Sequence, residues 1–219
     1  MDKADVVRFG LVGAGGYGRE VMPLLREMAN RQPGSRLYFV AEGEQKGGAI
    51  NGVELISLDA FAALPGKGYF NIAIGDSKVR ERIAMDCIRA GLEPVSIFAS
   101  NSVVLDGNDI GEGAVFSPFA MVTSNARIGK FFHANIYAYV AHDCVVGDYV
   151  TFAPGAKCNG NVVIGNHAYI GTGAVLKQGS SAKPLVIGEG AVIGMGAVVT
   201  KDVAPGAVMI GNPAREMAR

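Results

Sequence analysis

An excess of charge of one sign is the first thing this sequence lacks. Lys+Arg and Asp+Glu number 20 each, so its 219 residues carry no formal net charge. Nucleic acid and anionic membrane surfaces are met by basic excess, so neither is expected as a partner. Cysteine is scarce: Cys87, Cys144 and Cys158 form an odd set with no CxxC spacing. That excludes a disulfide framework and fits a reducing compartment. Long apolar runs are missing, since no stretch reaches the about 18 residues that read as a bilayer span. The opening MDKADVVRFG meets Gly-rich turn chemistry after a short apolar strand, without the h-region of a signal peptide. The expectation is a soluble cytoplasmic protein with no membrane insertion. Histidine is rare as well, at three residues. There is no close histidine pair and no obvious nucleophilic Cys or Ser elbow.

Glycine is abundant, at 31 residues, and clusters in two places. Residues 1–98 read as a small Rossmann-like α/β domain. VVRFGLVGAGG is an apolar strand ending in glycines, and YGREVMPLLREMANR follows with Val21, Leu24, Leu25 and Met28 on one helical face. SRLYFVAEG and YFNIAIGD are further strands, and LDAFAAL is a short helix. SKVRERIAMDCIRAG is a helix with Ser77 expected as N-cap and Gly91 as C′. Strands alternating with helices imply a parallel sheet. GAGGYG matches G-x-G-x-x-G through Gly13, Gly15 and Gly18, which would present N–H groups to a pyrophosphate. Glu42, after the second strand, is the candidate ribose binder. A second mononucleotide half is missing, so a nucleotide-sugar pyrophosphate is a better guest than a dinucleotide.

Across residues 99–219 the period changes to six. Val104, Ile110, Phe116, Val122, Ile128, Ala134, Val140, Val146, Phe152, Cys158, Ile164, Ile170 and Leu176 keep step. The count slips by five at KQGSSAKPL and resumes at Ile187, Ile193 and Val199. A second series, four residues on, is mostly small: Ala114, Ala120, Ala126, Ala138, Cys144, Val150, Ala156, Val162 and their successors. A strict short period marks a solenoid whose repeats bury themselves on their neighbours. Six residues suit one short strand and a turn. Cys144 and Cys158 fall on inward positions and are expected to be small core fillers.

The pattern of IGEGAV and IGMGAV resembles the left-handed parallel β-helix of the hexapeptide acyltransferases, in which 18 residues make a triangular coil. The left hand is what the resemblance implies; handedness rules alone give right-handed crossovers. On that grid His142 is off the packing positions and lies over Gly160, with Gln178 next. A glycine there lets a ligand approach the backbone, and its N–H can donate to a developing oxyanion. A base, a neighbouring carboxylate and a backbone donor on one face suit acyl transfer. A zinc site is the competing use of histidine. Counted from Val104 in coils of 18, however, His142, His133 and His167 take remainders 2, 11 and 9, so no metal is expected. His133 and His167 are read as surface or turn histidines.

GAGGxGRE, IAIGD…R, HDCVVGD, PGAKCNGNV and IGNPAR together resemble the sugar acetyltransferases of the sialic acid O-acetyltransferase NeuD type. That group includes the N-acetyltransferases of nucleotide-linked 4-amino sugars. The resemblance implies an acetyl-CoA-dependent transferase, active as a homotrimer with sites between subunits. It casts His142 as general base, Asp143 as its orienting partner and Asn135 as a further active-site residue. CoA would meet Gly160, Asn161, Thr172 and Gln178. The nucleotide sugar would meet Gly15, Gly16, Tyr17, Glu42, Asp76 and Arg80. Three positions depart from the common pattern: Tyr17 and Thr151 stand where histidine is frequent, and Ala41-Glu42-Gly43 shifts the acidic end of the second strand. Two acceptors stay open, the 4-amine of a nucleotide-linked deoxysugar and a hydroxyl of a sialic-acid-like sugar.

Overall fold

The computed structural model describes residues 6–43 and 47–217. The chain divides into two compact units, Met1–Ile97 and Phe98–Arg219.

The first unit is Rossmann-like. Strands β1 (Val7–Val12), β2 (Arg36–Ala41), β3 (Ala49–Ile50), β4 (Val53–Ser57), β5 (Lys67–Ile72) and β6 (Glu93–Pro94) form one sheet in the order β3-β4-β2-β1-β5-β6. All pairs are parallel except β3 with β4. That antiparallel pair is not among the strands expected from sequence. Its signal is the Asn51–Gly52 dipeptide, and both residues adopt positive φ as a tight two-residue hairpin turn requires. Helices α1 (Gly16–Ala29), α2 (Leu58–Ala63) and α3 (Ser77–Arg89) complete the unit. The core is Phe9, Leu11, Val21, Leu25, Phe39, Phe61, Phe70 and Ile83, all essentially inaccessible.

The N-cap of α3 is Asp76, not Ser77. Its carboxylate accepts from the amides of Lys78 and Val79 at 2.9 and 3.0 Å. A carboxylate satisfies two first-turn donors and complements the helix dipole, so it outcompetes the neighbouring hydroxyl. Gly91 takes the C′ role with φ +78°, and Leu92 N–H reaches back to the Cys87 carbonyl.

The second unit is the left-handed β-helix. Strands of two or three residues stack in three sheets, parallel except for the last pair, Val208–Ile210 with Arg215–Glu216. Through most of the coils each residue pairs with one 18 positions on, as in His133 with Thr151, Tyr139 with Lys157 and Val145 with Val163. Across the slip the offset becomes 23, pairing Val162 with Leu185. The extra residues form the 177–184 loop, closed by mutual Ser180–Lys183 backbone bonds. Both apolar series line the interior as one continuous core from Ala114 to Ala214. Val104, at the start of the first series, remains 41% exposed.

Each coil has three corners. One follows the sheet of His133–Ala134, the next follows the sheet of Tyr139–Val140, and the third follows the sheet of Val145–Val146. From Gly107 to Gly173 each corner places one residue at positive φ, again with period six: Phe119, Asn125, Phe131, Tyr137, Asp143, Tyr149, Asn161 and His167, with glycine at 107, 113, 155 and 173. The aromatic members offset the left-handed cost by stacking coil on coil. Phe131, Tyr149 and His167 form a column with 5.4 Å between neighbouring ring centroids. The turn reading of His167 holds. His133 does not fit the surface reading: it sits in a strand and is 1% exposed.

Candidate functional site

The corner after Tyr139–Val140 is the polar one. His142 and Asp143 emerge from it side by side, because Asp143 takes φ +57° and turns its carboxylate back toward the ring. His142 Nδ1 and Asp143 Oδ2 are 2.7 Å apart. With that bond made through Nδ1–H, Nε2 is left as the acceptor. Both side chains are about half exposed, at 47% and 49%, so the imidazole is accessible to a substrate.

The imidazole lies flat over the next coil. A Cβ added to Gly160 would stand 2.5 Å from His142 Nε2, so no larger residue fits beneath the ring. The rail is continuous: Asp143 N–H donates to Ser124 O, Asn161 N–H to His142 O and Gly179 N–H to Gly160 O, all at 3.0 Å. Among the described hydrogen bonds none uses the Gly160 N–H. Asn159, just before it, is held by a pair that sequence reading missed. Tyr139 Oη donates to Asn159 Oδ1 at 2.8 Å, and Asn159 Nδ2 donates to Leu176 O at 2.8 Å. Burial pushes the Tyr139 phenol up from its ordinary pKa.

Along the same corner the 177–184 loop opens a cavity of about 540 Å³, with Lys177, Gln178, Lys183, Thr200, Lys201 and Asp202 among its lining residues. Three ammonium groups face one carboxylate, and Asp202 Oδ1 already accepts from Val186 N–H at 3.0 Å. That balance suits a polyphosphate tail. Gln178 was expected here; the lysines were not, although the KQGSSAKPL slip marked the loop. Asn161 adjoins Gly160 on this corner with φ +56°.

Asn135 and Thr172 belong to the preceding corner. Asn135 Nδ2 donates to Phe152 O at 3.0 Å, and the Thr172 carbonyl receives Gly196 N–H at 2.8 Å. Within one chain they are not brought to His142. That corner is apolar at its surface: Phe119 and Tyr137 stack at 5.0 Å while remaining 54% and 60% exposed, beside exposed Ile136 and Met195.

In the first unit the glycine motif divides into two jobs. Gly13, with φ +104°, makes the turn, and a Cβ on Gly18 would collide with the Gly13 carbonyl, so these two serve packing. Gly15 and Gly16 face open space. Gly15 is the N-cap of α1 and supplies no side-chain cap, and a helix N-terminus of this kind suits an anion. Tyr17 follows on that turn, half-buried.

Three expected substrate contacts are otherwise engaged. Glu42 forms a two-pronged ion pair with Arg82, at 2.6 and 2.9 Å, and the guanidinium holds its carboxyl below the usual carboxylate range. Arg80 is fully buried and donates to the carbonyls of Ile74 and Gly75 at 2.8 and 3.4 Å; it shapes the β5–α3 loop from inside. Asp76 caps α3. The sequence spacing found the loop but could not tell ligand contacts from loop supports. Among the described residues, no cluster of three His, Cys, Asp or Glu has metal-binding geometry.

Known proteins resemble this chain in sequence and fold. A family profile described as the PglD N-terminal domain matches residues 8–87. GDP-perosamine N-acetyltransferase of Escherichia coli O157:H7 is 54% identical over 214 residues, covering 96% of each chain. The chain belongs to the hexapeptide-repeat nucleotide-sugar N-acetyltransferases of the perosamine and PglD type. The solved structure of WeeI from Acinetobacter baumannii AYE is 50% identical, with TM-score 0.93, covering 96% of this chain and 100% of that one. A histidine-to-asparagine mutant of perosamine N-acetyltransferase from Caulobacter crescentus, in complex with CoA and GDP-perosamine, is 25% identical with TM-score 0.85. It covers 99% of this chain and 98% of that one.

Proposed function

We propose that this chain transfers acetyl from acetyl-CoA to the 4-amino group of a GDP-linked perosamine. The observation that carries the reading is the His142–Asp143 pair lying over Gly160. The sugar amine attacks the thioester carbonyl, and His142 Nε2 accepts its proton. The C=O electrons move to oxygen, which the Gly160 N–H receives. Collapse re-forms the carbonyl and expels the CoA sulfur, which takes the proton back from the His142 imidazolium, leaving an amide and the free CoA thiol. Asp143 holds the ring through Nδ1 and stabilises the imidazolium. Direct transfer needs no acyl-enzyme. The lysine-lined cavity takes the phosphates of CoA, with Gln178 and Asn161 along the approach. The open amides at Gly15 and Gly16 take the diphosphate of the sugar nucleotide. The 54% identity to an N-acetyltransferase supports the amine over the hydroxyl as nucleophile.

A homotrimer completes this reading. The exposed Phe119, Tyr137 and Ile136 would be covered by a second copy, and the corner carrying Asn135 and Thr172 would then meet the His142 corner of a neighbour. Three free thiols suit a reducing compartment, and we place the reaction in the cytoplasm.

The test is release of free thiol from acetyl-CoA with GDP-perosamine, and with its 4-hydroxy analogue as control. His142→Asn is expected to lower kcat by about 10²–10⁴ while CoA still binds. Wild-type turnover in that variant overturns the general-base role, and equal rates on the hydroxy analogue overturn the amine.

A further inference from the structure

Two cysteines occur in the β-helix unit, and both touch one peptide bond. Cys144 Sγ is 3.3 Å from the Asn159 carbonyl oxygen, and Cys158 Sγ is 3.6 Å from the same atom. The two sulfurs are 3.8 Å apart, and both residues are inaccessible to solvent inside the coil. The Asn159 carbonyl therefore points into the core. A trans peptide is planar, with its N–H opposed to its C=O. The N–H of the same peptide belongs to Gly160 and must point out of the coil, to the side where His142 lies.

The corner that follows the His133–Ala134 sheet holds the equivalent carbonyl differently. It accepts from the amide three residues on: Ala120 to Ser117, Ala138 to Asn135 and Ala174 to Gly171 at 3.0 Å, and Ala156 to Ala153 at 3.1 Å. In the corner of Asn159 itself no such bond is found among the described residues, at Thr123–Ala126, Ala141–Cys144 or Asn159–Val162. The Cys144 thiol is within donating distance of Asn159 O at 3.3 Å, closer than His142 O at 3.6 Å. Apart from Phe132, the series to which Cys144 belongs is otherwise alanine or valine from Ala114 to Ala174. A residue there needs no polar atom for packing.

We infer that Cys144, packed against Cys158, is a positioning residue for acyl transfer: its thiol holds the Asn159–Gly160 peptide so that the Gly160 N–H faces the reacting carbonyl. Donation into the Asn159 carbonyl also polarises that peptide and strengthens its N–H as a donor. On the outer side Tyr139 and Leu176 fix the Asn159 side chain, so the residue is held from both faces. The inference rests on the acyl-transfer reading given above.

The experiment compares wild type with Cys144→Ala, Cys144→Val and Cys144→Ser. Alanine and valine already occupy equivalent core positions, so the first two variants are expected to fold with near-native melting. Both should lose kcat about five- to tenfold, with KM for acetyl-CoA unchanged, because one oxyanion donor is misaimed rather than removed. Serine keeps an O–H donor and should recover most of that loss. A second readout needs no turnover. In protein labelled with ¹⁵N-glycine, the Gly160 amide resonance should shift in the alanine and valine variants and return toward its native position in the serine variant. An unmoved Gly160 resonance, or native kcat in folded Cys144→Ala, overturns the inference. So does a serine variant as slow as alanine. Failure of wild type to acetylate GDP-perosamine counts against the proposed substrate, and the resonance comparison still decides the role of Cys144.

Discussion

At the positive-φ position of successive coils, one corner carries Asn125, Asp143 and Asn161, and the corner before it carries Phe119 and Tyr137. The backbone turn is the same. Asn and Asp tolerate left-handed φ through local polar contacts, whereas Phe and Tyr hold it by stacking on the coil above. The repeat thus fixes geometry and leaves chemistry to side-chain choice. The polar corner presents a base, a carboxylate and a bare amide. The apolar corner presents a surface to be covered.

The largest break in that comparison is Gly160→Ala. The new Cβ would stand 2.5 Å from His142 Nε2, so the ring must move. The expected result is a loss of about 10² in kcat with the β-helix intact by circular dichroism. A fully active Gly160→Ala would show that His142 does not work from this position.

Asp143 separates the two demands of the polar corner. Asp143→Asn keeps a residue that tolerates φ +57° but removes the charge behind His142. It should cost about tenfold in kcat with little change in melting temperature. Asp143→Ala should lose similar activity and about 1 kcal/mol of stability besides, from left-handed strain. Equal melting of the two variants would break the argument that the turn selects this residue type.

Tyr137→Asp tests the other corner. The substitution places a carboxylate in the exposed aromatic patch and should shift sedimentation from trimer toward monomer, with activity falling in parallel. A monomeric but fully active variant would show that no residue from a second copy is required.

The smallest effect belongs to the first unit. Arg82 holds the Glu42 carboxyl below its ordinary pKa, so the pair stabilises the fold above the unfolded carboxylate pKa. That contribution is lost as pH falls through the lower, folded value. Both side chains are about half exposed, and solvent and salt screen the pair. Arg82→Ala should therefore lower the melting temperature slightly at neutral pH and not at all in acid. An equal difference at both pH values would mean that packing, not charge, carries the contribution.

The solenoid was far more legible than the α/β unit. The six-residue period turned Cys144 and Cys158 inward, and the 18-residue coil that the resemblance implies put Gly160 under His142. What the offset could not supply was direction within a residue: that the Asn159 carbonyl faces two thiols, or that Tyr139 reaches Asn159. The slip at KQGSSAKPL announced a loop without showing that Lys177, Lys183 and Lys201 would share one cavity. In the first unit no period relates neighbours. Glu42 and Arg82 are 40 residues apart, and a long polar side chain such as Arg80 reads alike whether it meets a ligand or its own loop. His133 was misread because its strand position says that it points out of the coil, not what lies over it.

By itself, then, the sequence determined the six-residue repeat and its inward positions, and with the 18-residue coil that the resemblance implies it set His142 over Gly160, because a solenoid makes spatial neighbours from a fixed count along the chain. Tertiary structure alone decided which polar groups remain open at that column and at the α1 N-terminus. Hydrogen bonds saturate, and only the folded chain shows which donors and acceptors have already been taken.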